Sequence, residues 1–445
     1  MERYHPSEVY ELFVRHMNTP RVVVDSGVLA TATLVQVHSA RKHGVLLEAV
    51  AALSEHGVCV RKGYISSDDG RWFMDVFHVT DAAGRKVADA DALLGRLESS
   101  LSSEALPPRA GPAAVAAEGL TLLELVGADR PGLLSEVFAV LHDLRCSTVE
   151  ARAWTHGGRV AALVFVRDEE TGSPIDDAAR ARRIESRLRH VLRGGARGAR
   201  MVMADPSAAG AGSLDRRLHQ LLNEDGEARA AAATTTAVAV QDWGERGYSV
   251  VTVSCRDRPK LLFDVVCTLT DLDYVVYHGT FDTDGDHAQQ EFYIRRSDGR
   301  PISSKAERQH VIRCLQAAIE RRASEGVRLE LRITDRRGLL AYVTRVFREN
   351  GLSVTHAEIT TRGDMAMNVF HVTDAAGRPA DPKTIDEVIQ RIGTESLRVD
   401  EERWPRLCAA EGDAAGRGGG GGGLFSLGSL VKKNLFSLGL IRSCS

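Results

Sequence analysis

The stretch Val76 to Arg85 reads V-F-H-V-T-D-A-A-G-R, and Val369 to Arg378 repeats the same ten letters. Chance does not repeat a decapeptide within one chain, so the chain carries an internal duplication, and its folding unit must be small enough to occur more than once. Degenerate copies run from Val164 to Ile175 and from Phe292 to Ile302, each reading as a strand that ends in a Gly-bearing turn. A second block precedes each strand: R-K-H-G-V-L-L (Arg41 to Leu47), D-R-P-G-L-L (Asp129 to Leu134), D-R-P-K-L-L (Asp257 to Leu262) and D-R-R-G-L-L (Asp335 to Leu340). The loop position of this block falls on Gly44, Gly132, Lys260 and Gly338, spaced 88, 128 and 78 residues apart. Length alone, 445 residues, predicts about three domains. The spacing replaces three with four units and places an insert in the middle interval.

The second unit shows the local grammar most plainly. Leu122 to Gly127 reads as a strand, and Pro131 pre-sets φ for a helix whose apolar stripe is Leu133, Leu134, Val137, Phe138, Val140, Leu141 and Leu144. A hairpin follows (Ser147 to Thr155, Gly157-Gly158, Arg159 to Arg167), then a helix from about Asp176 to Leu192 and a short strand near Arg200 to Met203. The order is β-α-β-β-α-β, a ferredoxin-like α+β unit. The predicted organisation is an N-terminal segment (1–20), units at 21–103, 119–204, 247–323 and 327–400, a linker (205–246) and a tail (401–445). Within the linker, Ser213 to Leu222 reads as a short helix with Leu214, Leu218, Leu221 and Leu222 on one side. As a spacer it is expected to separate two pairs of consecutive units, helices outside and sheets joined or facing.

Composition narrows the function classes. With 57 Lys plus Arg against 60 Asp plus Glu there is no basic field to grip a nucleic-acid backbone, and no DNA partner is expected. Seven scattered cysteines without C-x-x-C indicate neither a disulfide framework nor zinc, and point to the cytosol or nucleus. The charged first residues lack a signal-peptide core, and no apolar run is long enough for a membrane span. His142-Asp143 lacks the companions of a metal-dependent hydrolase, and Asp282, Asp284 and Asp286 fit a hairpin turn better than a calcium loop. No metal, cofactor or catalytic residue is expected. No nucleophile elbow or Walker loop occurs, and the segment before the first unit is too short for a catalytic domain, so an enzyme is not expected. A spacer of six glycines (Gly418 to Gly423) leads into a tail that carries L-F-S-L-G twice.

Each D-R-P-G-L-L loop lies between a strand and a helix N-terminus, where unpaired N–H groups and the helix dipole accept a carboxylate. The same residues also suffice for a tight turn that buries the two leucines. At these blocks the chain resembles the ACT domain, a small amino-acid-binding regulatory module, and specifically the plant ACT-domain-repeat (ACR) proteins, which carry four copies. The resemblance covers about residues 20 to 400, most specifically R-D-R-P-K-L-L-F-D-V-V-C-T-L-T-D (Arg256 to Asp271), and extends to G-L-I-R-S-C-S at the end. It implies intramolecular pairing of ACT units, with homodimerisation left open, and a ligand held between the loop of one unit and the second strand of its neighbour.

Carried onto this sequence, the implied ligand residues are Asp129, Arg130, Pro131, Gly132, Leu133 and Ser147 in the second unit, and Asp335, Arg336, Gly338, Leu339 and Ser353 in the fourth. His43 and Gly44 in the first unit and Asp257, Arg258 and Lys260 in the third are the weaker candidates. The strand position held by Asn in amino-acid-binding members is Cys59, Ser147, Tyr274 and Ser353 here, a departure in all four units. Lys260 either attracts a ligand carboxylate or crowds it out. The implied function is non-enzymatic amino-acid or nitrogen-status sensing, relayed to a protein partner. The alternatives are a ligand-free interaction scaffold and, from the shared β-α-β-β-α-β order, an RNA-binding module.

Overall fold

The computed structural model describes residues 20–40, 44–68, 72–81, 83–101, 119–192, 199–204, 214–223, 236–243, 246–322 and 326–399. His43, most of the first inter-unit linker and the tail lie outside them.

The first unit contributes β1 (Arg21–Asp25), β2 (Thr33–Ser39), α1 (Val45–Glu55), β3 (Cys59–Asp68), β4 (Trp72–Thr80) and α2 (Ala90–Leu101). The second contributes β5 (Thr121–Ala128), α3 (Leu133–Asp143), β6 (Cys146–His156), β7 (Arg159–Asp168), α4 (Ala178–Leu192) and β8 (Arg200–Ala204), and the linker α5 (Leu214–Asn223). The third contributes β9 (Ala237–Trp243), β10 (Tyr248–Arg256), α6 (Leu261–Asp271), β11 (Tyr274–Asp284), β12 (His287–Arg296) and α7 (Lys305–Arg322). The fourth contributes β13 (Val327–Thr334), α8 (Leu339–Glu349), β14 (Leu352–Arg362), β15 (Met365–Asp374), α9 (Pro382–Ile392) and β16 (Leu397–Val399).

These elements form two antiparallel eight-stranded sheets, β1-β2-β4-β3-β11-β12-β10-β9 and β16-β13-β15-β14-β6-β7-β5-β8. The units are indeed arranged as two pairs, but not as consecutive ones. The first unit joins the third and the second joins the fourth, so the chain alternates between sheets. The expected closing strand also needs correction in half of the units. The second and fourth close with their last strands, β8 and β16, whereas the first and third are closed by strands that precede them, β1 and β9. β9 lies inside the stretch that the sequence assigns to the linker. The edge position beside the first core strand needs an antiparallel partner, and a segment from either end of the unit satisfies it.

Within each pair the sheets fuse edge to edge. β3 and β11 pair through Tyr64↔Thr280, flanked by Gly63↔Phe281 and Ile65↔Gly279, and β6 and β14 pair through Arg152↔Glu358. Gly63 is required at this seam, because a Cβ there would fall 2.0 Å from the Phe281 ring. Helices cover one face of each sheet, with α1 packed on α6 and α3 on α8. One core lies beneath each helical layer. The opposite face of the second sheet is apolar as well (Leu122, Trp154, Leu163, Phe165), and α5 covers it with Leu218, Leu221 and Leu222. α5 also packs on α6, and α7 on β6, so the helical layer of the first pair stacks on the second pair's sheet.

Candidate functional site

The loops of the second, third and fourth units share one backbone design, and the first shares its left-handed cap. The N–H groups of Asp129, Asp257 and Asp335 donate to the hairpin-turn carbonyls of Gly158, Asp286 and Asp364 at 2.8, 2.7 and 2.7 Å. The loop residues Gly44, Gly132, Lys260 and Gly338 adopt left-handed φ of 88, 79, 63 and 70° and cap their helices. Leu133 and Leu339 are buried core residues behind the loops, and Pro131 is exposed. The arginines turn back onto their own units. Arg130 donates to Glu136 at 2.8 Å and to the Val191 carbonyl at 3.3 Å, Arg258 pairs with Asp264 at 2.7 Å and donates to the Ile319 carbonyl at 2.7 Å, and Arg336 lies over the Tyr342 ring. Burial raises the carboxyl pKa of Asp129, Asp257 and Asp335.

Pairing presents each loop to the end of the first helix in the partner unit. A Cβ on Gly132 would meet the Arg348 side chain at 2.5 Å, and one on Gly338 would meet the His142 ring at 3.0 Å. Beside the fourth-unit loop, Arg337 bonds Glu169 at 2.7 Å. Arg348 and His142 precede β14 and β6, whose second residues are the half-buried Ser353 and Ser147. In the third unit Asp257 meets Arg61 at 3.5 Å, at the bulge after Cys59 in β3.

The first-unit loop differs. Between the start of α1 (Gly44, Val45, Leu46) and the α6–β11 junction (Thr270, Asp273, Tyr274) lies a cavity of about 60 Å³, walled by Phe73, Val266 and Val276. Tyr274, expected as a poor substitute for Asn, forms part of its wall, and its phenol donates to Glu307 at 2.7 Å. Asp75 of β4 also lines it. Asp75 is 1% exposed, its Oδ1 has no hydrogen-bond partner among the described residues, and burial pushes its pKa up to about 7. Sequence reasoning missed Asp75, which immediately precedes the repeated decapeptide.

Comparison with known proteins follows this unit structure. Residues 28–106 match the ACR family N-terminal ACT domain, 120–191 and 327–389 match ACT domains, and 237–324 match an ACR9-like, ACT-like domain. The chain is 51% identical to the Arabidopsis thaliana ACT domain-containing protein ACR8 over 98% of both chains. It is 45% identical to ACR4 over 98% of both, and 44% identical to ACR5 over 99% of this chain and 98% of that one, both from the same plant. The chain belongs to the ACR family of ACT domain-containing proteins. The third ACT unit's match begins at β9, in line with its N-terminal closing strand.

In this ACT-repeat chain Lys260 is engaged by the structure itself. Its ammonium lies 2.7 Å from Asp215 of α5, which also receives Arg152 at 2.7 Å and Arg322 at 3.1 Å. Burial alone would raise the Asp215 carboxyl, but Arg322, Lys260 and Arg152 together hold it well below the ordinary range. Asp264 is likewise buried and held low, against its desolvation, by Arg322 and Arg258, and it contacts His219 at 2.9 Å. Arg322 completes the cluster by lying 4.6 Å from the Trp154 ring centre. Buried charges persist only when paired in this way. The third-unit loop is thereby tied through α5 to the face of the second sheet that α5 covers, beside the seam residue Arg152.

Proposed function

We propose that this ACR protein is a non-enzymatic regulator that binds a free amino acid in the cavity between its first and third ACT units and relays occupancy to a protein partner. The observation that carries the reading is the cavity itself, bounded by the N-terminus of α1 and the α6–β11 junction. Backbone N–H groups of the first turn of α1 would receive the ligand carboxylate. At roughly 10–15 Å³ per water-sized group, a small amino acid is the size that suits it.

The ligand positions inferred for the second and fourth units, with Ser147 and Ser353 as polar contacts, remain part of the proposal as secondary sites. Arg348 and His142 pack against their loops, which favours a role in assembly for those two units. Occupancy at the first-unit loop would stiffen the β3–β11 pair and, through Lys260 and α5, bias the second pair. The cytosol or nucleus is the proposed setting, on the free thiols of Cys59, Cys146, Cys255, Cys267 and Cys314. Calorimetry and thermal-shift measurements with the twenty amino acids at millimolar concentration test the reading. A saturable heat and a raised melting temperature for at least one small amino acid are expected, and silence across the whole set would sink it.

A further inference from the structure

The four units differ at one buried position. Asp75 lies on the helical side of the third strand of its sheet unit, two residues before the core residue Phe77, and pairs in register with Val37 and Ile65. The register equivalents are Ala162 (opposite Leu125 and Ala153), Gln290 (opposite Val253 and Phe281) and Asn368 (opposite Leu331 and Ile359). All four are buried. Gln290 Oε1 and Asn368 Nδ2 also lack hydrogen-bond partners among the described residues, while Asn368 Oδ1 accepts the Thr360 N–H at 3.3 Å. A unit of this fold therefore tolerates a polar group here while leaving at least one of its atoms without a partner among the described residues, and only the first unit makes that group an acid.

An unpaired buried carboxyl costs stability, and the described residues offer Asp75 no cation. The titratable groups sharing its cavity are Asp273 and Tyr274, both without positive charge, and the α1 side contributes backbone and apolar side chains. A bound ammonium would supply the missing partner. The α1 N-terminus, at the same cavity, is suited to an anion. A carboxylate site and an unpartnered acid within about 60 Å³ describe a molecule whose ammonium and carboxylate are separated by one or two carbon atoms.

We propose that the Asp75 carboxylate is the amine anchor of this site, so that the first–third pair selects a small zwitterion and rejects acids that lack an amino group. This rests on the amino-acid reading above and narrows it. The other units, with Ala162, Gln290 and Asn368, lack the charge and would not discriminate in this way. Because the acid is partly protonated near neutral pH when the cavity holds no amine, arrival of an ammonium expels the proton, and binding releases a fraction of a proton to solvent.

The test uses full-length protein and its Asp75→Asn variant, titrated by calorimetry at pH 7 with glycine, alanine and serine, and with acetate, propionate and lactate as their amine-poor counterparts. Heats are collected in two buffers of different ionisation enthalpy. The expected result is binding of at least one amino acid by the wild type with proton release, a tenfold or greater loss of affinity in D75N, and no difference between the two proteins toward the amine-free acids. Equal affinity of both proteins for the amino acid overturns the anchor while leaving amino-acid binding standing. Wild-type binding without proton release overturns it too, independently of how the variant folds. Absence of any heat with the wild type overturns both readings together.

Discussion

Lys260 occupies, at φ 63°, a conformation that its three counterparts fill with glycine. A side chain there costs about 1 kcal/mol or more, and the ion pair with buried Asp215 offsets it. The sequence showed the substitution and offered two roles for the cation toward a ligand, but the ion pair with Asp215 was not legible, because Asp215 arrives from a linker helix distant in sequence. Asp75 was less legible still. It stands just outside the identical decapeptide and varies between units, and its burial comes from packing of β4 beneath α1 and α6. Its raised pKa has a defined consequence for stability. The folded-state value near 7 lies above the ordinary aspartate value, so the folded form binds the proton more tightly. Stability is fully present below about pH 4 and falls as pH rises through about 7, by on the order of a few kcal/mol. Asp75→Asn should remove that dependence, leaving the variant more stable than wild type at pH 8. Urea midpoints at pH 5 and pH 8 check this, and a wild-type profile no steeper than the variant's would refute it.

At the level of elements, strand and helix positions in the second unit were close to the sequence reading, and α5 matches the expected linker helix almost residue for residue. Alternating and helical apolar periodicities report such local elements directly. The seams were not legible, since edge pairing between units depends on which edges meet. Their chemistry is nevertheless specific. Gly63 and Gly279 leave room for Phe281 and Ile65 across the β3–β11 junction, and Phe281 reaches the Phe77 ring at 6.1 Å. Gly63→Val should clash with the Phe281 ring and cost about 3 kcal/mol or more. A second change, Phe281→Ala, should recover part of that loss, because the obstructing ring is gone. Guanidinium unfolding of both single variants and the double variant supplies the coupling; purely additive losses would show that the seam is not set by this contact.

Across the whole molecule, the alternation of units between sheets is the largest departure from the sequence-based expectation. A long middle interval suggested a divider between consecutive pairs, whereas the linker carries the chain back to the first sheet and leaves α5 between the two layers. Cutting the chain between residues 204 and 205 should therefore yield halves that each hold one unit of either pair. Each half alone would expose the seam edges β3 and β6, or β11 and β14, and should aggregate or self-associate. Co-expressed, the halves should co-purify in equal proportion with the thermal stability of the intact chain, as size-exclusion chromatography and melting would show; two well-behaved monomeric halves would contradict the topology.

The closing strands give this arrangement a further meaning. Units closed from their N-terminal side pair with each other, and so do units closed from their C-terminal side, as though two copies of one two-unit chain had dimerised and then been fused. In a dimer of identical subunits every substitution appears twice, once on each side of the symmetry axis. Fusion lifts that obligation. One half can carry the acid Asp75 where the other has Gln290, and one loop can become an anchor at Lys260 while its mate keeps Gly44, so a symmetric ancestor with duplicate sites gives way to a single chain whose two halves are free to diverge.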